Sequence, residues 1–558
     1  MTSVEEWNSS FKARPIGEYL DEALKNYSSR PAMDFMGKGY TYKEMGELVD
    51  KVAAGLEKQG VRKDTKVGLC LPNCPYYPVF YFAILHLGGT VVNFNPLYVE
   101  RELSFQARDS GIDIMVTLDL KMMFDKMETV RKEGALKKIV VCRMADILPQ
   151  PKKLLFTLLK GKERSSIPNS SAHVKFGDLI SNGTRYTRPQ INPEEDLAVI
   201  QYTGGTTGVP KGAMLTHANL SANMEQTKEL FTNVVYGQEK AVCVLPFFHV
   251  FAMTILQNIS IMFGSEMILV PRFELKDVLD TIQRKKATIF AGVPTIYTAI
   301  NNQPDIEKYD LSSLKICASG GAPLPVEVKE EFEKLTGCSL FEGYGLSETS
   351  PVVCVTPLDS PSPEGSIGYP VSGTTLSFRD LDDLSKEVSK GEKGELCVTG
   401  PQVMKGYWNR KDATEQTLEN GKVLHTGDVG YMDENGFVYL VDRIKDLIIC
   451  SGYNVYPRVI EEALYLHDAV EETIVIAVPD KYRGQAPKAF VKLKEGQTVS
   501  EAELLTFLKE QISKIEMPKM IEFRDELPKT MVGKLSKKEL VEEEAAKQKA
   551  AEAGVAAE

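Results

Sequence analysis

Tyr202 to Gly212 reads YTGGTTGVPKG, a run of glycine, three threonines and one lysine straight after the apolar LAVIQ. Glycine lets successive amides converge on an anion, hydroxyls add donors, and a lysine adds compensating charge. Phosphate is the chemistry such a loop suits. The P-loop pattern GxxxxGK[ST] fails here, because counting from Gly205 puts Pro210 at the second glycine and Gly212 at the Ser/Thr. A simple P-loop NTPase is thereby excluded, and a mobile connection is the plain alternative.

Four further clusters carry chemistry. ASGGAPLP, Ala318 to Pro325, follows the short apolar LKICA. Consecutive glycines at a strand's end let a flat ring lie against the backbone, although an ordinary turn has the same look. GYGLSETSP, Gly343 to Pro351, offers a stacking face in Tyr344, a hydroxyl in Ser347 and a hard carboxylate in Glu348. Such a carboxylate binds Mg²⁺ beside substrate phosphates, or simply favours a helix N-terminus. A Rossmann fingerprint is excluded, since Glu348 replaces its third glycine. In HTGDVGYMDENGFVYLVDR, Asp428 could bond the vicinal hydroxyls of a ribose, whereas Asn435-Gly436 reads as a hairpin turn. LPKTMVGKLSKKEL places Lys534 after a glycine, where one solvated lysine among many is the bland reading.

The elements that must hold these residues follow from length and pattern. At 558 residues the chain exceeds one domain. Its net charge of −11 leaves no basic excess for a nucleic-acid surface, so no nucleic-acid partner is expected. Nine scattered cysteines without a CxxC pair, and six dispersed histidines, show no zinc-ligand spacing and fit reduced thiols in a cytoplasmic protein. MTSVEEWNSSFKARP has no apolar core of a signal peptide, and no SKL or CaaX address closes the chain. VFYFAILHLGGTVV is too short to span a bilayer and reads as a buried helix running into a strand.

YTYKEMGELVDKVAAGLEKQG has helical spacing and ends on Gly60, and KVGLCLPN follows as a strand. DIMVTL, KKIVVC, LAVIQYT, AVCVLPF, EMILVP and ATIFAGVP continue the alternation. The fold class is therefore α/β with largely parallel sheet. Expected are a large N-terminal domain of layered α/β sheets over residues 1–441, with a small β-rich subdomain from about 366, and a small mobile α+β C-terminal domain over 442–545. The joint falls in VDRIKD, Val441 to Asp446, and residues 546–558 read as a tail, frayed helix or disorder.

Together and in this order, the five clusters resemble those of the adenylate-forming superfamily: acyl-CoA synthetases, luciferases and peptide-synthetase adenylation domains. The resemblance runs from about residue 40 to 540. It implies that Thr203, Gly204, Gly205, Thr206 and Thr207 cradle the phosphates of ATP with Lys211 nearby. Gly321, Ala322 and Pro323 would line the adenine, Tyr344 would pack on it, and Ser347 would contact phosphate. Glu348 would hold Mg²⁺, and Asp428 with Arg443 would take the ribose. Lys445 matches the hinge, Gly452 the passage for the pantetheine of CoA, and Lys534 the lysine that bridges carboxylate and α-phosphate. His249, in PFFHVFAM, is a candidate neighbour of the acyl carbon, as a gate or packing residue ahead of a base. The implied reaction makes an acyl-adenylate from acid and ATP, then passes the acyl group to CoA, the C-terminal domain turning between the two steps.

HVFAMTILQNISIMF carries no carboxylate that could hold an amino group, and its apolar residues suit a fatty or aryl chain. The region from Asn420 to Glu462 resembles bacterial fatty acyl-CoA ligases, which implies a medium- or long-chain fatty acid. Alternatives are a cyclic or aromatic acid, a fatty acyl-AMP ligase serving a carrier protein, a luciferase-type oxygenase and a non-catalytic binding protein. PKKLLFTLLKGKER, Pro151 to Arg164, mixes leucines with lysines as a helix lying on an anionic membrane does, or as a packed surface helix does. Peripheral contact at the inner membrane is the matching expectation.

Overall fold

The structure is a computed structural model that describes residues 4–203, 210–357, 360–450, 453–480, 482–530 and 533–555. Among them three sheets carry the fold. In the seven-stranded sheet, His173–Lys175, Lys138–Cys142, Ile114–Leu118, Lys66–Leu69, Thr90–Asn93 and Leu197–Thr203 run parallel, and Lys211–Thr216 closes one edge antiparallel. A fourteen-stranded sheet has a parallel centre built from Glu266–Leu269, Lys240–Cys243, Ile289–Gly292, Ile316–Gly320 and Leu340–Gly345. The alternating apolar runs of the sequence form these strands, and the α/β class is the observed one.

Local chemistry sets the helices between them. Thr41 accepts from the Glu44 amide while the Glu44 carboxylate accepts from the Thr41 amide, a reciprocal cap that starts Tyr42–Lys58. Tyr76–His86 is buried at every position. Each large apolar side chain so buried stabilises by about 1.5–3 kcal/mol. The Tyr77 hydroxyl lies 2.6 Å from Asn93 Oδ1, in the strand Thr90–Asn93, and 2.8 Å from the Phe247 carbonyl, in the segment that follows Lys240–Cys243.

The β-rich segment is hydrogen-bonded into the large sheet. Ser366–Pro370 pairs with Val352–Val355 on one side and with Val438–Arg443 on the other. The register slips at Gly368, which has φ +83° and would place a Cβ 2.0 Å from the Val355 carbonyl oxygen. Only glycine passes that crossing.

A third, five-stranded sheet belongs to the C-terminal module, with Pro457–Tyr465, Glu501–Gln511 and Lys537–Val555 as its helices. Its cores are separate from the main one, and Leu540 anchors the last helix beside Phe490 and Leu527. The large sheet ends at Val438–Arg443, and the small sheet begins at Ile448–Cys450. A single 3₁₀ turn, Ile444–Asp446, joins them.

Candidate active site

Thr203 and Lys211 face each other at the open end of the hairpin formed by Leu197–Thr203 and Lys211–Thr216. Gly204, Gly205, Thr206 and Thr207 lie outside the described residues, as does Gly452. The Lys211 ammonium stands 5.0 Å over the ring of Tyr407, whose hydroxyl donates to Glu348 Oε1 at 2.7 Å. Glu348 sits on the 3₁₀ turn Ser347–Thr349, and its carbonyl accepts from the Met404 amide at 2.8 Å. Lys211, Ser347 and Glu348 thus share one corner with Tyr407, a residue the sequence reading did not single out.

The strand Ile316–Gly320 leads into the shelf Gly321-Ala322-Pro323. Lys534 reaches it from the C-terminal module, close enough that a Cβ on Gly321 would lie 2.4 Å from Lys534 Cε. Gly321 has φ +86°, a backbone angle that favours glycine, and a methyl there would have to push the flexible end of Lys534 aside. The preceding residue seats the lysine: Thr295 Oγ1 donates to the Gly533 carbonyl at 2.7 Å. Burial, with Arg443 adding repulsion, pulls the Lys534 ammonium down to about 8.

Beside the shelf, the Tyr344 hydroxyl donates to Asp428 Oδ2 at 2.5 Å, and Arg443 Nε pairs with Asp428 Oδ1 at 2.9 Å. Asp428 is buried and stands on a bulge, where the ladder between Gly394–Thr399 and Val423–Met432 skips from Glu395↔Val429 to Cys397↔His425. Bulges re-aim side chains in this way. Asp428 is thus a buried carboxylate fixed by two partners, Tyr344 and Arg443.

His249 is half-buried, and its Nδ1 accepts from the Phe251 amide at 3.3 Å. Burial, helped by the Lys534 ammonium, lowers the imidazole to about 3. With Nδ1 accepting from that amide, a neutral ring carries its proton on Nε2 and can donate from there. Phe251 packs towards Gly320, where a Cβ would meet its ring at 3.1 Å. The apolar run that follows is a wholly buried π-helix, Ala252–Asn258, continued by Ile259–Phe263.

Lys445 lies exposed in the joining turn, with its ammonium lowered by partial desolvation and by Arg443. Sequence reasoning also missed Thr295, Phe251 and Glu342. Glu342 Oε1 accepts from the Leu324 amide at 3.2 Å, just past the shelf, and burial pushes its carboxyl up to about 7. Its place in FEGYG, two residues before Tyr344, was the available signal.

The chain matches the AMP-binding enzyme family over residues 20–408 and the AMP-binding enzyme C-terminal domain over 459–534. It is 44% identical to a long-chain-fatty-acid–CoA ligase of Bacillus subtilis, with 95% of each chain covered. It is 40% identical to the long-chain-fatty-acid–CoA ligase of Escherichia coli O157:H7, with 94% of each covered. Among solved structures, ATP-bound MatB from Rhodopseudomonas palustris superposes with a TM-score of 0.82 at 28% identity, over 95% of this chain and 98% of that one. With both halves matched in order and relatives aligned nearly end to end, this chain belongs to the AMP-binding enzyme family.

Proposed function

We propose that the protein is an AMP-forming acid–thiol ligase that activates a medium- or long-chain fatty acid as acyl-AMP and transfers it to CoA, releasing pyrophosphate and AMP. The observation that carries this reading is the meeting of Lys534 with the Gly321 shelf beside the Tyr344–Asp428–Arg443 cluster. The fatty-acid class rests on the relatives' names together with the buried apolar segment after His249.

A carboxylate does not acylate a thiol, because oxide is a poor leaving group. Joining that oxygen to the α-phosphorus of ATP, with loss of pyrophosphate, makes the leaving group AMP. Two anions must meet for this. Lys534 and Lys211 offset their repulsion and the charge that develops on phosphorus. The adenine lies on Gly321, Ala322 and Pro323 against Tyr344, and Asp428 takes the ribose hydroxyls, oriented by Tyr344 and Arg443. Thr203 to Thr207 cradle the phosphates, with Ser347 as a further donor.

Glu348 suits Mg²⁺, since it is one carboxylate with Oε1 fixed by Tyr407, and Mg²⁺ takes few protein ligands beside phosphate and water. Bound there, the ion supplies neutralisation of phosphate charge. His249, a neutral donor, gates the acyl carbon.

For the second step the C-terminal module turns about Lys445, withdrawing Lys534 and bringing Gly452 to line the pantetheine passage. The deciding experiment gives the protein ATP, magnesium and a panel of carboxylic acids. Acid-dependent pyrophosphate release, followed by CoA-dependent AMP release and strongest with fatty acids, supports the reading. Release without added acid, or with amino acids alone, overturns it.

Peripheral membrane contact belongs to the same proposal. No helix among the described residues is long and apolar enough to cross a membrane. Lys152–Leu159, however, buries no side chain, and Leu154, Leu155, Leu158 and Leu159 are all more than half exposed. Lys152, Lys153, Lys160 and Lys162 flank them. That pairing of leucine and lysine suits an anionic bilayer, from which a fatty acid is drawn. Flotation with anionic liposomes that is lost on Leu158→Ser/Leu159→Ser supports the contact, and no salt-sensitive binding removes it.

A further inference from the structure

The bulge that lifts Asp428 is underpinned by a cluster the reaction does not use. Glu395 and Cys397 stand two residues apart on Gly394–Thr399, and Cys397 faces His425 across the ladder. Residues two apart on a strand share one face, so the bulge brings a carboxylate, a thiol and an imidazole together. Glu395 Oε2 lies 2.8 Å from His425 Nδ1, and Cys397 Sγ lies 3.4 Å from the same nitrogen. One ligand atom from each of the three falls within 4.8 Å of the others. On the far side of the ring, Nε2 is 3.5 Å from Glu419 Oε2.

We propose that Glu395, Cys397 and His425 bind a thiophilic divalent transition ion of the Zn²⁺ type, and that its occupancy is felt at Asp428. Sulfur, nitrogen and oxygen are the donors zinc takes, at about 2.3, 2.0–2.1 and 2.0–2.2 Å, and a tetrahedron with such bonds has edges of roughly 3.2–3.6 Å. The Sγ to Nδ1 separation already meets this, and the Oε2 to Nδ1 pair has to open by roughly half an ångström. Glu419 stands where an outer carboxylate orients a metal-bound imidazole. His425 then carries its proton on Nε2 towards Glu419 and offers the Nδ1 lone pair to the ion. Cys397 binds as thiolate and its proton leaves to solvent.

Charge favours a dication. The guanidinium beside the cluster, Arg379, is answered by Glu387 at 3.7 Å and Glu419 at 3.6 Å, and Glu395 is added to that sum. The route to the nucleotide corner is short. Glu395 Oε1 accepts from the Gly427 amide at 3.0 Å, and Gly427 precedes Asp428. Redirecting Glu395 to an ion strains that hydrogen bond and shifts the carboxylate held by Tyr344 and Arg443.

The test strips the full-length protein with a chelator and titrates it with Co²⁺, a spectroscopic stand-in for Zn²⁺, without nucleotide. One Co²⁺ per chain, with a thiolate-to-metal absorption band that Zn²⁺ displaces and Cys397→Ala abolishes, is the expected result. Mg²⁺ at Glu348 gives no such band. Occupancy by Zn²⁺ is expected to raise the apparent KM for ATP about fivefold or more, the scale of a modest coupling between sites. Absence of the band, or its persistence in Cys397→Ala, overturns the site. An unchanged KM with the band present overturns the coupling to Asp428.

Discussion

Lys534 of the C-terminal module lies directly on the backbone of Gly321, with no room between them for a methyl group. Gly321→Ala is expected to lower acid-dependent pyrophosphate exchange on the order of 10²-fold, as loss of a transition-state donor does. Thioester formation from supplied acyl-adenylate should fall less, because that step feels only the strained adenine shelf and not the displaced lysine. Equal loss of both half-reactions would falsify this division of labour.

Lys534→Ala removes the amine itself. Acyl-adenylate formation should fall on the order of 10²–10³-fold, with CoA-dependent turnover of supplied acyl-adenylate retained. Single-turnover assays of the two halves separate the outcomes.

The alkaline limb of the pH profile follows from the same amine. Its value in the free enzyme is about 8, below the ordinary lysine range. As pH rises through that value the positive charge is lost, and kcat/KM for ATP in the adenylation half should decline. Bound polyphosphate draws the value back up, so the limb in kcat should lie at higher pH. Lys534→Arg should remove the limb from both profiles. A wild-type profile that stays flat through the alkaline range would refute the assignment.

Tyr407 couples Lys211 to Glu348, its ring under one and its hydroxyl on the other. Tyr407→Phe keeps the ring and loses the hydrogen bond, worth about 0.5–1.5 kcal/mol, or roughly 2–12-fold in apparent KM for MgATP. Tyr407→Leu should cost more, since the cation loses its aromatic face as well. Measured KM values that rank the other way would separate Lys211 from Tyr407.

Lys445→Pro restricts φ in the one turn that joins the two sheets. Adenylation is expected to persist and CoA-dependent release to collapse. A variant that still turns over with CoA at the wild-type rate places the pivot elsewhere.

Much of this architecture was legible because each strand of the two large sheets is a short apolar run between polar helices. LAVIQYT, ATIFAGVP and EMILVP could hardly be anything else in a chain that alternates so regularly. Lys211, Glu348, Asp428 and Lys534 were legible through the order of their motifs, which resembles the adenylate-forming superfamily, since each motif alone also reads as an ordinary loop, turn or solvated lysine. Tyr407 and Thr295 were not, because their partners, Glu348 and Gly533, lie far off in sequence. The Glu395–Cys397–His425 cluster escaped for a related reason. Its spacing fits no linear metal motif, and only a bulge in the ladder aligns its atoms. The β-rich segment showed in its short strands and turn residues, whereas its pairing with the large sheet across Gly368 leaves no trace in composition.

Tyr76–His86 has no wet side at all, and through Tyr77 it is pinned to the strand Thr90–Asn93 and to the segment after Lys240–Cys243. Such a rod cannot be lifted from either neighbour without opening the whole interior, so its amides should be among the last to exchange with deuterium. The consequence is mechanical. The big lobe works as a stiff anvil, and whatever swinging the catalytic cycle demands is left to the few bonds of one short tether.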